Sequence, residues 1–209
     1  MPRIVGGSAK GRKLKMPRGE VRPATARARQ ALFDYLHQII PGSRVLDLYC
    51  GSGGLGIEAL SRGADFACFV DISPKVINVV RDNVRMFGFW DQAMFETRDV
   101  FRFLHNYPPE AKGGFDVVMA APPYKIAEPA RLLDAIEESG ALKPGGIICI
   151  EYSRHTEVPN PSYLTLARRK VYGETVVEVW DLPGEKDEGE VDADAEGDAD
   201  VKGEETTIG

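Results

Sequence analysis

The chain has 209 residues, 43% of them hydrophobic and 28% charged, with a net charge of −6. That content supports one sizeable core, so one domain with appendages is expected, and the short apolar runs exclude a membrane-spanning helix. The three cysteines, Cys50, Cys68 and Cys149, are far apart and form no C-x-x-C pair. They exclude a disulfide framework and a zinc site and fit a reducing cytoplasm, with Cys68 and Cys149 as core fillers.

The average charge conceals three zones. Residues 1–30 hold nine Lys or Arg against Glu20 alone, a net of +8; residues 31–183 carry −5 and residues 184–209 carry −9. A basic segment of this kind is a candidate footprint for phosphate backbones, the alternative being a solvated leader without an export signal behind it. The acidic tail has no aromatic residue and little aliphatic bulk, so it is expected to stay disordered. The organisation read from charge is thus a basic extension over 1–30, a domain over 31–183 and a tail over 184–209.

In chain order, apolar spacing predicts a helix over 27–40, ended by Pro41-Gly42, and a buried strand over 44–49. A glycine-rich turn, Gly51-Ser52-Gly53-Gly54-Leu55-Gly56, leads into a helix over about 55–61. A second strand over 66–70 ends at Asp71. Ser73-Pro74 then opens a helix whose apolar face is Val76, Val79, Val80, Val84 and Phe87. Strands are expected over 93–97, 115–120 and 146–151, with a helix over about 129–138 before the last of them. Two late strands, 164–171 and 175–181, flank Gly173 as an antiparallel hairpin. Alternating strands and helices predict a doubly wound α/β sheet with helices on both faces.

In such a sheet, ligands bind beyond the carboxyl ends of the strands. Gly51 and Gly53 let the backbone approach a ligand, and the helix that follows offers unpaired amides. Asp71, at the end of the second strand, is placed to accept hydrogen bonds from a ribose diol. Turns of this kind serve NAD, FAD and S-adenosylmethionine alike. Asp47, inside the first strand, favours the last of these: a pyrophosphate disfavours a carboxylate there, whereas a sulfonium or amino group accepts it. Its other reading, a buried carboxylate capping the glycine loop, can coexist with the first. Asp99 is placed to reach an adenine amine or, equally, to cap a helix starting at Val100.

Ala121-Pro122-Pro123-Tyr124 ends the fourth strand. Two prolines make a rigid loop whose carbonyls can accept from an amine, and Tyr124 offers a face for base stacking. This segment resembles the hallmark Asn or Asp-Pro-Pro-Tyr or Phe of the amino-methyltransferases, which act on exocyclic nitrogens of bases. The opening of the chain narrows the resemblance: Arg3-Ile4-Val5-Gly6-Gly7, Gly11-Arg12-Lys13-Leu14, Arg22-Pro23-Ala24-Thr25 and Arg27-x-Arg29-x-Ala31-Leu32-Phe33. With Leu46-Asp47-Leu48-Tyr49-Cys50-Gly51-Ser52-Gly53 and the run from Gly56 to Ala64, they resemble the RsmD family of bacterial 16S ribosomal RNA guanine-N2 methyltransferases over about residues 2–182.

The resemblance implies a class I S-adenosylmethionine-dependent methyltransferase fold: Rossmann-like, seven-stranded, with a C-terminal antiparallel hairpin and a basic N-terminal extension. It implies a cytoplasmic monomer that methylates a guanine N2 presented by the small ribosomal subunit. Asp47, Tyr49, Gly51, Ser52, Gly53, Asp71, Ile72, Asp99 and Val100 would hold the cofactor, and Ala121, Pro122, Pro123 and Tyr124 a flipped guanine. Arg3, Lys10, Arg12, Lys13, Arg22, Arg27 and Arg29 would grip phosphates. No metal is implied, and His37, His105 and His155 have no ligand spacing.

The chain departs from the family at Ala121, where the motif has Asp, and less consequentially at Ala26 and Gln30. Losing an acceptor for the reacting amine forfeits about 1.5–3 kcal/mol, roughly ten- to a hundred-fold in rate. That leaves room for a weakened enzyme or for a silent cofactor- and RNA-binding relative, and an adenine-N6 methyltransferase shares the same core chemistry. Glu151-Tyr152, ending the fifth strand, could touch the substrate pocket or simply pack. Arg168-Arg169-Lys170 could add a phosphate contact or guard a sheet edge.

Overall fold

The computed structural model describes residues 2–17, 26–108, 113–124, 128–156, 158 and 161–184. Almost all of the acidic tail, and Arg22 among the expected phosphate contacts, lie outside the described residues. The elements in order are α1 (Ala26–Tyr35), β1 (Arg44–Leu48), α2 (Gly54–Ser61), β2 (Phe66–Asp71) and α3 (Pro74–Phe87). A 3-10 turn, Trp90–Gln92, follows; then come β3 (Ala93–Thr97), α4 (Val100–His105), β4 (Phe115–Ala120), α5 (Pro129–Glu138), β5 (Leu142–Ser153), β6 (Thr165–Tyr172) and β7 (Thr175–Asp181).

The seven strands lie in the order β3-β2-β1-β4-β5-β7-β6. β1 to β5 run parallel, whereas β7 is antiparallel to both β5 and β6. This is the class I methyltransferase arrangement that the resemblance implies. The chain reverses its direction of winding between β1 and β4, the place where sheets of this kind bind ligands beyond the strand ends.

Local chemistry explains the boundaries. Ser73 caps α3 by accepting the Val76 N–H, Pro74 opens the helix, and Gly88 at φ 83° ends it in the left-handed conformation. The buried face of α3 is Ile77, Val80, Asn83, Val84 and Phe87, rotated slightly from the expected one so that Val79 is half-buried. α1 stops at Tyr35 rather than Ile40, passing into turns before Pro41. β5 begins at Leu142, earlier than expected, because a register irregularity between Phe115 and Val117 lets Leu142 pair with Phe115.

Two apolar layers cover the sheet. One packs α1, α2 and α3 against Val45, Phe69, Val117, Met119 and Cys149; the other packs α4 and α5 against Leu46, Cys68, Val118, Ile148 and Ile150. The N-terminal segment joins the first layer. Ile4, Ala9 and Leu14 are at most 2% exposed, and an antiparallel bridge pairs Arg3 with Lys13. The described part of the basic extension is therefore a folded strap, not a leader. No helix among the described residues is long and apolar enough to cross a membrane.

Candidate cofactor and substrate site

The glycine turn leaves β1 through unusual backbone geometry. Tyr49 at φ 54° is the only non-glycine among the described residues with positive φ, and Gly51 (φ 53°) and Gly53 (φ 75°) follow it. A tyrosine held in that region costs about 1–3 kcal/mol and marks a loop shaped for use. The Gly53 N–H closes the turn on the Cys50 carbonyl at 2.7 Å. Gly56 is required by contact: a Cβ there would lie 2.4 Å from the Phe69 ring.

Asp47 holds this turn from below. It is 1% exposed, and its Oδ2 accepts the Gly56 N–H at 2.9 Å. Burial pushes its pKa up to about 8 against the pull of that hydrogen bond, and Asp71 adds to the rise. Of the two readings of Asp47, the loop cap is the one seen. Asp71 ends β2 half-buried, accepting the Ser73 N–H at 2.9 Å and, more weakly, the Gly51 N–H at 3.4 Å. Burial raises its pKa while those two amides oppose the rise.

Next to Asp71, Ile72 is 69% exposed, an apolar side chain without cover beside a carboxylate. Asp99 caps α4 by accepting the Arg102 N–H at 3.0 Å, so its capping reading holds. Val100 is 2% exposed, its side chain packed in the second apolar layer. Ser52 is 5% exposed, and its carbonyl accepts from Asn83 Nδ2 at 3.0 Å. The donor set suits an adenosyl group: a carboxylate for a ribose diol at Asp71, an apolar face at Ile72 and a glycine-lined backbone between them.

Across the switch point, Ala121 is half-buried, Pro122 buried and Pro123 exposed. The Ala121 N–H still points at the Leu48 carbonyl, at 3.5 Å. The Tyr124 hydroxyl shares a hydrogen bond with Thr175 Oγ1 at 2.5 Å and donates to Glu151 Oε1 at 3.4 Å. These contacts pin the ring at the tips of β4, β5 and β7. Burial raises the Tyr49 pKa to about 12, with Asp99 and Glu128 adding to the rise.

The basic residues divide. Lys10, Lys13 and Arg27 stand exposed. Arg3 is exposed and bonds the Gly11 carbonyl, and Arg12 stacks 4.4 Å over Phe87 while donating to the carbonyls of Met86 and Phe87. Arg29 corrects the expectation of a phosphate contact. It is 2% exposed, ion-paired to Glu58 at 3.7 Å and hydrogen-bonded to the Arg3 carbonyl, so a phosphate has no access to it.

Two residues of this architecture escaped the sequence reading. Glu58, fully buried in α2, accepts the N–H groups of Val5 and Gly6 at 2.8 and 2.7 Å and pairs with Arg62 at 2.9 Å. A single acid among Ile57, Ala59 and Leu60 was the available signal. Asn83, also fully buried, exchanges two hydrogen bonds with the Lys15 backbone and one with Ser52. Its place on the apolar face of α3, three residues after Val80, was the signal there. A cavity of about 840 Å³ opens at the amino ends of the strands around Pro41, Asp116 and Lys143, at the end of the sheet away from this site. No cluster of metal-ligating side chains occurs among the described residues.

Residues 2–181 match a family model described as Conserved hypothetical protein 95. The Bacillus subtilis protein named "Putative rRNA methyltransferase YlbH" is 36% identical over 184 residues, covering 87% of this chain and all of that protein. Ribosomal RNA small subunit methyltransferase D of Haemophilus influenzae is 32% identical over 173 residues, covering 82% and 89%. A solved structure of a hypothetical protein from Thermus thermophilus is 35% identical with a TM-score of 0.73, covering 86% of this chain and 98% of that one.

Proposed function

The chain belongs to the family described as Conserved hypothetical protein 95, the RsmD family, and on that premise we propose that it methylates the exocyclic N2 of a guanine in 16S ribosomal RNA, within the small subunit or its precursor. The protein is an S-adenosylmethionine-dependent ribosomal RNA methyltransferase. The observation that supports guanine N2 as the target is the meeting, at the switch point, of the glycine turn and Asp71 with the Pro-Pro-Tyr loop.

S-adenosylmethionine, bound at the glycine turn, supplies a methyl group on a cationic sulfonium. The protein's own work is orientation. Asp71 and Ile72 would hold the nucleoside end, the Asp47-capped loop would support it, and Asp99 and Val100 would complete the site. The Ala121 and Pro122 carbonyls accept from the target amine, whose lone pair is delocalised into the base and needs alignment to react. Pro123 keeps that loop rigid, and Tyr124 stacks on the base. Arg3, Lys10, Lys13 and Arg27 supply outward charge for the RNA backbone.

Small subunits from a strain lacking this protein, incubated with methyl-labelled S-adenosylmethionine and the full chain, test the reading. Digestion to nucleosides should place the label in N2-methylguanosine. Label in N6-methyladenosine, or no label, would overturn it.

A further inference from the structure

Ala121 removes the carboxylate that the family's motif aims at the reacting base, and the fold places another beside the gap. β4 and β5 are parallel neighbours whose last paired positions are Ala120 and Ile150. Ala121 is the first residue after β4, and Glu151 follows Ile150 in β5, so the two positions come next beyond the last pair of these neighbouring strands. Met119 and Cys149, two residues earlier on each strand, share one apolar layer; the alternation of strand side chains therefore carries Glu151 to the α1 and α2 side of the sheet. There it lines a narrow cleft with Ala28, Leu32, Leu55 and Ala120.

Glu151 is half-buried, and the Tyr124 hydroxyl donates to its Oε1. Among the described residues no Lys or Arg forms an ion pair with it. We propose that Glu151 is the guanine-reading residue of this chain, its carboxylate accepting from N1–H and N2–H of the flipped base in place of the missing carboxylate at position 121. The inference rests on the guanine reading above and deepens it.

The chemistry is selective. The Watson–Crick edge of guanine presents two adjacent donors, N1–H and the N2 amine, and an ionised carboxylate has two acceptor oxygens to meet them. Adenine presents one amine donor beside the N1 lone pair, which a carboxylate repels. A buried group that needs its partner discriminates strongly against a base lacking it. Tyr124 supplies the complementary part: the hydrogen bond that orients Glu151 also fixes the ring on which the base stacks.

Burial raises the Glu151 pKa to about 7, opposed by the Tyr124 hydrogen bond. The other titratable groups on the cleft are Arg29 from α1, held by Glu58, and Cys149 of β5, whose thiol burial holds protonated; α2 contributes Leu55 and β7 contributes Val177. Reading N1–H and N2–H needs the ionised form, so methyl transfer should rise with pH through about 7 and level off above it.

The test uses the full chain, the small subunits described above and nucleoside analysis of the product. Glu151→Gln should lower kcat/KM for guanine N2 transfer about a hundredfold, because its amide donates where an acceptor is needed. S-adenosylhomocysteine should still bind within about threefold, which reports that the variant is folded. Adding Ala121→Asp to Glu151→Gln should restore at least about tenfold of the rate, because the carboxylate returns on the neighbouring strand. The rise near pH 7 should vanish in Glu151→Gln. A purely structural Glu151 would lose activity without rescue from position 121, and that result overturns the inference, as does a Glu151→Gln rate equal to the parent's. If the parent chain itself labels adenine or nothing, the guanine reading has failed and this one with it. If the parent labels guanine N2 and Glu151→Gln does so equally, only the present inference has failed.

Discussion

Arg29 and Lys10 belong to the same basic segment, yet one is enclosed in the core and the other stands in solvent. Arg29 meets Glu58, which also takes the amides of Val5 and Gly6 and the guanidinium of Arg62. Lys10, Lys13 and Arg27 point outward. The inward cation holds the strap against α2, and the outward cations are the ones proposed to meet the RNA backbone. A count of charge along the chain adds the two kinds together, whereas desolvation separates them: a buried cation is tolerated only against a fixed anion, and an exposed one interacts weakly with its neighbours.

The sharpest way to break this division is Glu58→Ala. It would leave Arg29 and two strap amides without their acceptor and should cost about 3–5 kcal/mol of unfolding free energy by chemical denaturation. A loss below about 1 kcal/mol would show that the strap does not depend on that carboxylate. Asn83→Ala, which unties Lys15 and the Ser52 carbonyl from α3, should cost about 2 kcal/mol and loosen the glycine turn. The readout is faster hydrogen exchange at the turn amides, and unchanged exchange would remove Asn83 from the architecture of the site.

Asp71→Asn addresses the cofactor half more gently. It keeps an acceptor for the Ser73 amide but removes the charge facing a ribose diol, so calorimetric affinity for S-adenosylhomocysteine should fall about tenfold, near 1.4 kcal/mol. Equal affinity would argue that Asp71 serves only the loop. The smallest effect belongs to the outward set. Lys10→Ala and Lys13→Ala should change stability by less than about 0.5 kcal/mol. Each should also reduce the salt dependence of subunit binding by about one in the log–log slope. An unaltered slope in the double variant would mean that the RNA docks elsewhere.

Much of the fold was readable along the chain because its signals are short-range. Hydrophobic runs bounded by glycine marked β1, β2 and β4, and Ser73-Pro74 marked the start of α3. The errors lie where distant partners intervene: the stop of α1 at Tyr35 and the early start of β5 opposite Phe115. In the site, the glycine turn, Asp71 and the Pro-Pro-Tyr loop were visible because each is a contiguous motif. The surroundings of Glu151 were not, since its Tyr124 partner lies 27 residues away and the ends of β4 and β5 meet only in the sheet.

By itself, the sequence determined the order of strands and helices, the glycine turn, the rigid loop after β4 and the family, because each is written in neighbouring residues or in their ordered succession. Only the tertiary structure decided which arginine is buried, which carboxylate holds the N-terminal strap and which acid takes the Tyr124 hydroxyl. Those outcomes depend on burial, and burial is set by partners far along the chain: Glu58 meets Val5 across 53 residues, and Asn83 meets Lys15 across 68. A charged side chain has no fixed role until the fold decides whether water or a counter-charge surrounds it.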